Sequence, residues 1–390
     1  MTRAPAVVVA GALVALATIT AGCGSGSPGA GPSGGTPSDG SSTGRSPSAA
    51  TASSPSTGPL ALHPTTKVRV PGSVGPVRLG DDEVVFPFSD GSDDSWREVG
   101  VAGFDDSRPR VVAKSAWPHG LINWVAATGD WVAYVDQSAE QSDSSPDVRW
   151  RIRAVDTRTG ETVQLASNGD EPDPYVPIVL GQDGWFFWTS AESDRSARES
   201  VWKPGWGAPK DLLRHTEMTP GSETLAGDRL VYLGAAATGA RGHTVGGDCW
   251  SVPITGGDPA PLTHTALAMG CAAAGDDVVW TQHIEQNPKR MPALGILDDP
   301  YTVWSQPLDG GRPTLLNRGY ILSSPALAGD GFASWDPDGR RVVRSLTSTK
   351  EVRLPPGRYA VGSAAAGRRL AYATVGNGGT TIHVDEVSGG

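Results

Sequence analysis

Cys249-Trp250-Ser251-Val252-Pro253-Ile254-Thr255-Gly256-Gly257-Asp258-Pro259-Ala260-Pro261-Leu262-Thr263 reads as a short strand carrying an aromatic, a tight turn at Gly256-Gly257, and a second short strand ending in Leu-Thr. Directly upstream, Leu225-Ala226-Gly227-Asp228-Arg229-Leu230-Val231-Tyr232 is a small-residue strand, a Gly-Asp turn and an apolar strand. Together these stretches make a four-strand unit. The rest of the chain repeats it.

The Gly-Asp turn recurs at Gly80-Asp81, Gly129-Asp130, Gly181 to Asp183, Gly227-Asp228, Gly275-Asp276 and Gly329-Asp330, and in degenerate form at Gly367-Arg368. The spacing of these glycines runs from 38 to 54 residues. A period in the forties with about four short strands is the signature of propeller blades. After each turn comes an apolar strand, such as Trp185-Phe186-Phe187-Trp188 or Val278-Val279-Trp280. Before each turn the residues are small, as in Ala272-Ala273-Ala274 and Ala364-Ala365-Ala366, which suits an innermost strand crowded near an axis.

Trp96, Trp150, Trp202, Trp250 and Trp304 fall at comparable places on the third strands. A tryptophan-lined carbohydrate groove competes here with packing between blades, and recurrence once per repeat favours packing. The seventh repeat lacks a fourth strand, because the sequence stops just after Ile382 to Val387. At the other end, Lys67-Val68-Arg69-Val70-Pro71-Gly72 copies Glu351-Val352-Arg353-Leu354-Pro355-Pro356-Gly357. The expectation is therefore an all-β, seven-bladed β-propeller in which an N-terminal strand completes the last blade and removes free sheet edges.

Cys249 to Thr265, with its aromatic, Gly-Gly turn and Leu-Thr-His-Thr ending, resembles the repeat of TolB-type (WD40-like) propellers. Trp335-Asp336-Pro337-Asp338-Gly339-Arg340-Arg341-Val342 is similar to the other half of that repeat, at a different turn of the blade. The resemblance implies the propeller fold, an envelope setting and a role in binding proteins. It brings no catalytic residue with it.

At the amino terminus, Thr2-Arg3 precedes an apolar run from Ala4 to Ile19 with the layout of a secretory signal. The run closes with Ile19-Thr20-Ala21-Gly22-Cys23, which resembles the lipobox of bacterial lipoproteins, with Thr20 where that family usually has Leu. The resemblance implies a signal peptide over residues 1–22, cleavage before Cys23, a lipid on its sulfur, and anchoring to the outer surface of the cell membrane. Residues 23–60 are almost all Gly, Ser, Pro, Thr or Ala and read as a disordered tether, reaching about 35 Å. Dinucleotide-like and nucleophile-elbow matches inside it, at Gly24 to Gly29 and Gly31 to Gly35, lack the strand and helix that either mechanism needs. The propeller would occupy residues 61–390.

The formal charge of −10 disfavours nucleic acid as a partner. With Cys23 lipidated, Cys249 and Cys271 remain as one pair for a disulfide in an oxidising compartment. In such blades one face carries the first-to-second and third-to-fourth turns, short throughout this sequence. The opposite face carries longer loops, among them Gln137 to Asp147, Gly234 to Gly247 and Gln282 to Pro300. Variable loops on a rigid scaffold are where binding usually resides. That face would hold His119, His215, His243, His264 and His283, and the Gln282 to Pro300 loop adds Lys289, Arg290 and Met291.

The reading is a monomeric binding or scaffold module for an envelope protein or a cell-wall glycan, with no cofactor and no membrane contact beyond the lipid anchor. The alternative is a metal-dependent carbohydrate lyase or hydrolase whose histidines hold a metal on the long-loop face. A calcium site among Asp90, Asp93 and Asp94 competes with a merely solvated acidic rim, since the run lacks the spaced ligands and distal Glu of a calcium loop.

Overall fold

The computed structural model describes residues 59–89, 95–139, 148–169, 176–193, 196–216, 223–238, 244–284, 300–320, 327–336, 341–354, 363–376 and 378–389. Among them every helix or strand is a β-strand. Strand β1 (Ala61–Val70) stands first. Strands β2 (Arg78–Leu79), β3 (Glu83–Phe88), β4 (Glu98–Gly103) and β5 (Arg110–Lys114) form an antiparallel four-stranded sheet. Strands β6 (Leu121–Thr128), β7 (Trp131–Gln137), β8 (Trp150–Asp156) and β9 (Thr162–Ser167) form the next. Strands β10 (Ile178–Gln182), β11 (Trp185–Ser193), β12 (Ser196–Trp202) and β13 (Lys210–Thr216) form the third.

Eight strands then share one sheet. They are β14 (Thr224–Ala226), β15 (Arg229–Thr238), β16 (Thr244–Pro253), β17 (Ala260–Pro261), β18 (Ala268–Ala274), β19 (Asp277–His283), β20 (Pro300–Pro307) and β21 (Thr314–Tyr320). Its two halves meet through one pairing, Gly247↔Ala268, between β16 and β18. Strands β22 (Leu327–Gly329), β23 (Phe332–Trp335), β24 (Val342–Ser345) and β25 (Glu351–Arg353) return to the four-stranded form. The last sheet has the spatial order β1-β28-β27-β26, with β26 (Ala364–Ala366), β27 (Arg369–Gly376) and β28 (Gly379–Ser388). In it β1 lies antiparallel on β28, from Ala61↔Ser388 to Val70↔Thr380.

The core is laid down between consecutive sheets, because each sheet is apolar on both faces. Val85, Val99 and Val101 of the first sheet meet Ile122, Val125 and Val132 of the second. Phe187 and Leu213 meet Leu230 and Val252 in the same way further along. The first and last sheets also touch: Val68, Ile382 and Val384 pack against Val84, Phe86 and Phe88. Neighbouring inner strands are tied near the axis. Thr128 Oγ1 accepts from Gly184 N, Gln182 exchanges hydrogen bonds with the Leu225 backbone, and Thr224 Oγ1 accepts from Ala273 N.

The recurring tryptophans are packing residues. Trp150 and Trp202 are buried, and Trp202 stacks on Phe186 at 5.9 Å while meeting Trp131 of the neighbouring sheet edge-on at 5.5 Å. Trp304 stacks on Trp280 at 6.4 Å.

Two of the expected turns are displaced. Between β10 and β11 the turn residues are Asp183 (φ 51°) and Gly184 (φ 82°), not Gly181, which stays in β10 and pairs with Phe186. Two consecutive positive φ values match the primed turn that right-twisted strands prefer. Gly329 likewise belongs to β22. There a Cβ would collide with the Phe332 ring and the Gly367 carbonyl oxygen, so glycine serves close approach between sheets rather than the turn.

Candidate functional site

The connections from an outer strand to the next inner strand place two of the sequence-predicted residues at the surface. His119 is exposed in the segment between β5 and β6. That segment is held from below by Asp136, whose buried carboxylate accepts from Ser115 Oγ (2.6 Å) and from Ala116 N (3.3 Å). Arg151 Nε pairs with the same carboxylate at 3.0 Å, and the Arg149 and Arg151 guanidinium carbons each lie 4.6 Å from the centroid of the Trp117 ring. His264 is exposed in the segment between β17 and β18. Here Asp248 Oδ1 accepts from Thr263 Oγ1 (2.7 Å), Thr265 N (2.7 Å) and Ala266 N (3.1 Å). Each exposed histidine therefore stands on a segment fixed by one aspartate. Neither Asp136 nor Asp248 was singled out from the sequence, because what marks them is a contact reaching 18 to 21 residues along the chain.

His283 differs from its expected place. It lies in β19, is 2% exposed and stacks on Tyr301 at 5.0 Å, so it is part of the packing and offers no surface. The apolar neighbourhood of Tyr301 and Trp335 draws it inward, where a loop position had been expected. His215 stands in β13. Cys23, His243, Lys289, Arg290 and Met291, the signal peptide, the tether up to residue 58 and the Asp90 to Asp94 run lie outside the described residues. Among the described residues no group of three or more His, Cys, Asp or Glu is placed to hold a metal ion. Cys249 and Cys271 are joined by a disulfide linking β16 to β18, with both side chains buried.

The opposite face carries a feature that the sequence reading passed over. A cavity of about 400 Å³ opens between the first two sheets at their tight turns, lined by Asp81, Asp82, Glu83, Asp106, Arg108, Arg110 and Asp130. Asp81 is spent on structure, since its Oδ2 accepts from Gly129 N at 3.1 Å. Glu83 Oε2 lies 3.7 Å from Arg110 Nη2. Burial pushes the Glu83 carboxyl up to about 7, with Asp130, Asp81 and Asp82 adding to the rise and Arg110 opposing it. A carboxyl half-protonated near neutrality in a polar cleft can give or take a proton from a bound group. The signal lay in the run Asp81-Asp82-Glu83 directly after a turn glycine.

No family model and no curated protein sequence matches this chain. Among solved structures, the β-propeller domain of the Trilobed protease from Pyrococcus furiosus superposes with a TM-score of 0.56 at 8% identity, covering 81% of this chain and 97% of that one. A TolB structure from Agrobacterium tumefaciens gives 0.43 at 12% identity, covering 76% and 99%. An oligogalacturonate lyase from Vibrio parahaemolyticus gives 0.47 at 8%, covering 84% and 91%. At such identities likeness speaks for architecture alone, and the last two scores carry no argument. The chain is a β-propeller, and TolB structures are among its structural neighbours.

Proposed function

We propose that this chain is an exported β-propeller, anchored to the outer surface of the cell membrane through lipidated Cys23. It acts as a monomeric binding module for an envelope protein or glycan. In this reading the propeller has seven blades. The eight-stranded sheet counts as two of them, β14–β17 and β18–β21, whose ladders share the one pairing Gly247↔Ala268. Strand β1 closes the ring by supplying the outer strand of the last blade, in keeping with its pairing to β28.

The observation that carries the reading is the pair of exposed histidines, His119 and His264, on aspartate-fixed connections that share one face of the ring. A rigid rim of this kind presents side chains to a partner with little ordering cost. The Cys249–Cys271 bond supports the exported setting, since persistent disulfides belong to oxidising compartments.

Two experiments test the two halves. Cys23→Ser should release the protein into the medium or leave it unprocessed; unchanged membrane association and mass would end the anchoring idea. Replacing residues 291–297 by a Gly-Ser link should abolish capture of a partner from an envelope extract while leaving the melting temperature in place. Retained capture would move the binding face elsewhere. A stoichiometric transition metal in the purified protein, lost with His215→Ala, would favour the metal-dependent lyase or hydrolase instead.

A further inference from the structure

The inner strands are built mostly from small or apolar residues, and Arg78 of β2 breaks that pattern. Its guanidinium lies over the ring of Trp124, in the adjacent inner strand β6, with 5.6 Å between Cζ and the ring centroid. The contact bridges the inner strands of the first two sheets, which in a propeller stand nearest the axis. Among the described residues the only hydrogen bond of the Arg78 side chain runs from Nη1 to the Val77 carbonyl at 3.0 Å, and it has no carboxylate partner. Burial lowers its pKa to about 10, and no neighbouring charge offsets that effect.

A second feature lies beside it. The register of β6 slips between Ile122 and Trp124, so Asn123 forms a bulge. Asn123 and Trp124 are consecutive and both half-buried, where regular alternation would turn one of them away. Bulges re-aim side chains and are frequent next to functional sites.

A half-desolvated guanidinium with spare N–H donors is costly to keep unless something pairs with it. We infer that Arg78, backed by the face of Trp124 and flanked by Asn123, binds an oxyanion, carboxylate or phosphate, carried by a ligand that enters the channel. The Trp124 ring covers one face of the guanidinium. The anion then approaches in its plane, where the fork of N–H groups matches paired oxygens. A ligand pairing an anionic group with an apolar or aromatic body fits this setting, since Trp124 is also packed on the apolar cluster between the second and third sheets. None of Arg78, Asn123 and Trp124 lines the Glu83 cleft.

Benzoate and inorganic phosphate are the probes, titrated into the purified chain by calorimetry and by tryptophan fluorescence. The expected result is saturable binding of at least one probe at millimolar concentration, weakened about tenfold or more in Arg78→Met. Which probe binds distinguishes a carboxylate from a phosphate source. Arg78→Lys keeps the charge but loses the fork, and should bind more weakly than the unmodified chain; it also serves if Arg78→Met fails to fold. Because the unpaired charge is costly, Arg78→Met should melt no lower than the unmodified chain, or about 2–4 °C higher. The inference is overturned if neither probe saturates below ~10 mM. It is overturned equally if binding is unchanged in both variants, or if Arg78→Met melts well below the unmodified chain and so reveals a structural arginine.

Discussion

Glu199 and Glu223 share a single hydroxyl: Thr189 Oγ1 lies 2.7 Å from Glu199 Oε2 and 2.5 Å from Glu223 Oε1. The two carboxyls come from different sheets, one on β12 and the other just ahead of β14, and both are buried. A hydroxyl has one proton to donate. It can satisfy one carboxylate as donor, and the second contact is a hydrogen bond only if that carboxyl brings its own proton. The geometry of this seam therefore favours a proton retained between the two carboxyls. Burial raises the Glu199 pKa well above 4.5, and the charge of Glu223 raises it further. The same neighbourhood pushes Tyr232 up to about 12, through burial first and Glu199 second.

The first prediction follows from the direction of that shift. A carboxyl that binds its proton more tightly when folded stabilises the fold fully below the ordinary value of 4.5, and that stabilisation is lost as pH rises through the raised pKa. Stability measured by denaturant unfolding should decline from mildly acidic to alkaline pH. Glu199→Gln keeps a hydrogen-bonding group without a titrating proton, so it should flatten the decline and be the more stable form at about pH 8. Parallel pH profiles for the two proteins would show that the seam holds no shared proton.

Glu83 gives a second prediction, readable one residue at a time. Its carboxyl signal should titrate near 7 by NMR, with burial as the main cause. Arg110 is half-exposed, so its ion pair with Glu83 is weak and opposes burial only in part. Removing it in Arg110→Ala should move the midpoint upward, and Asp130→Asn should move it downward. A midpoint in the ordinary carboxylate range would mean that the cleft is wetter than its geometry implies.

These sites also mark how far the sequence could be read. The repeat was legible because Gly-Asp turns and apolar strands are local, and their period survives even where Gly181 and Gly329 turn out to be strand residues. The packing role of Trp202 was legible from recurrence alone. The Thr189–Glu199–Glu223 cluster and the Arg78–Trp124 contact were not. Each is assembled across a seam between sheets, from residues tens of positions apart, and nothing in the periodicity of a strand says which side chain faces it. His283 failed for a related reason: within one sheet, its burial goes with Tyr301 on the neighbouring strand, 18 positions away.

A third prediction concerns β1. Val68 and Val70 are buried against the core that joins the first and last sheets, and β1 pairs with β28 over most of its length. Deleting residues 1–58 should leave the melting temperature unchanged. Deleting residues 1–71 removes that pairing, exposes the edge of β28 and strips the apolar contacts of Val68 and Val70. The longer deletion should melt at a clearly lower temperature or aggregate. Equal melting of the two truncations would show that β1 is dispensable and that the last sheet is complete without it.

The last prediction rests on the Cys249–Cys271 bond. The two residues are 22 apart in sequence and belong to the two halves of the eight-stranded sheet, which share one ladder pairing, Gly247↔Ala268, together with the Ala273 N to Thr224 Oγ1 hydrogen bond and an apolar cluster of Val231, Leu233, Ala268 and Trp280. Here the cross-link adds a covalent tie to a seam that has a single ladder pairing but a buried apolar cluster. In the chain-entropy description, closing a loop of this length restricts the unfolded chain and stabilises the fold by about 3 kcal/mol. Cys249 and Cys271 are both buried, 0% and 3% exposed, so a reductant reaches the bond only after the sheet opens. Native protein should therefore resist mild dithiothreitol, and reduction should proceed at the rate of local or global unfolding. The Cys249→Ala/Cys271→Ala variant should lose stability on the order of that figure, with the loss appearing first as faster amide exchange in β16 and β18. Fast reduction of the folded protein, or a double variant as stable as the parent, would place the strength of this seam in its apolar contacts instead.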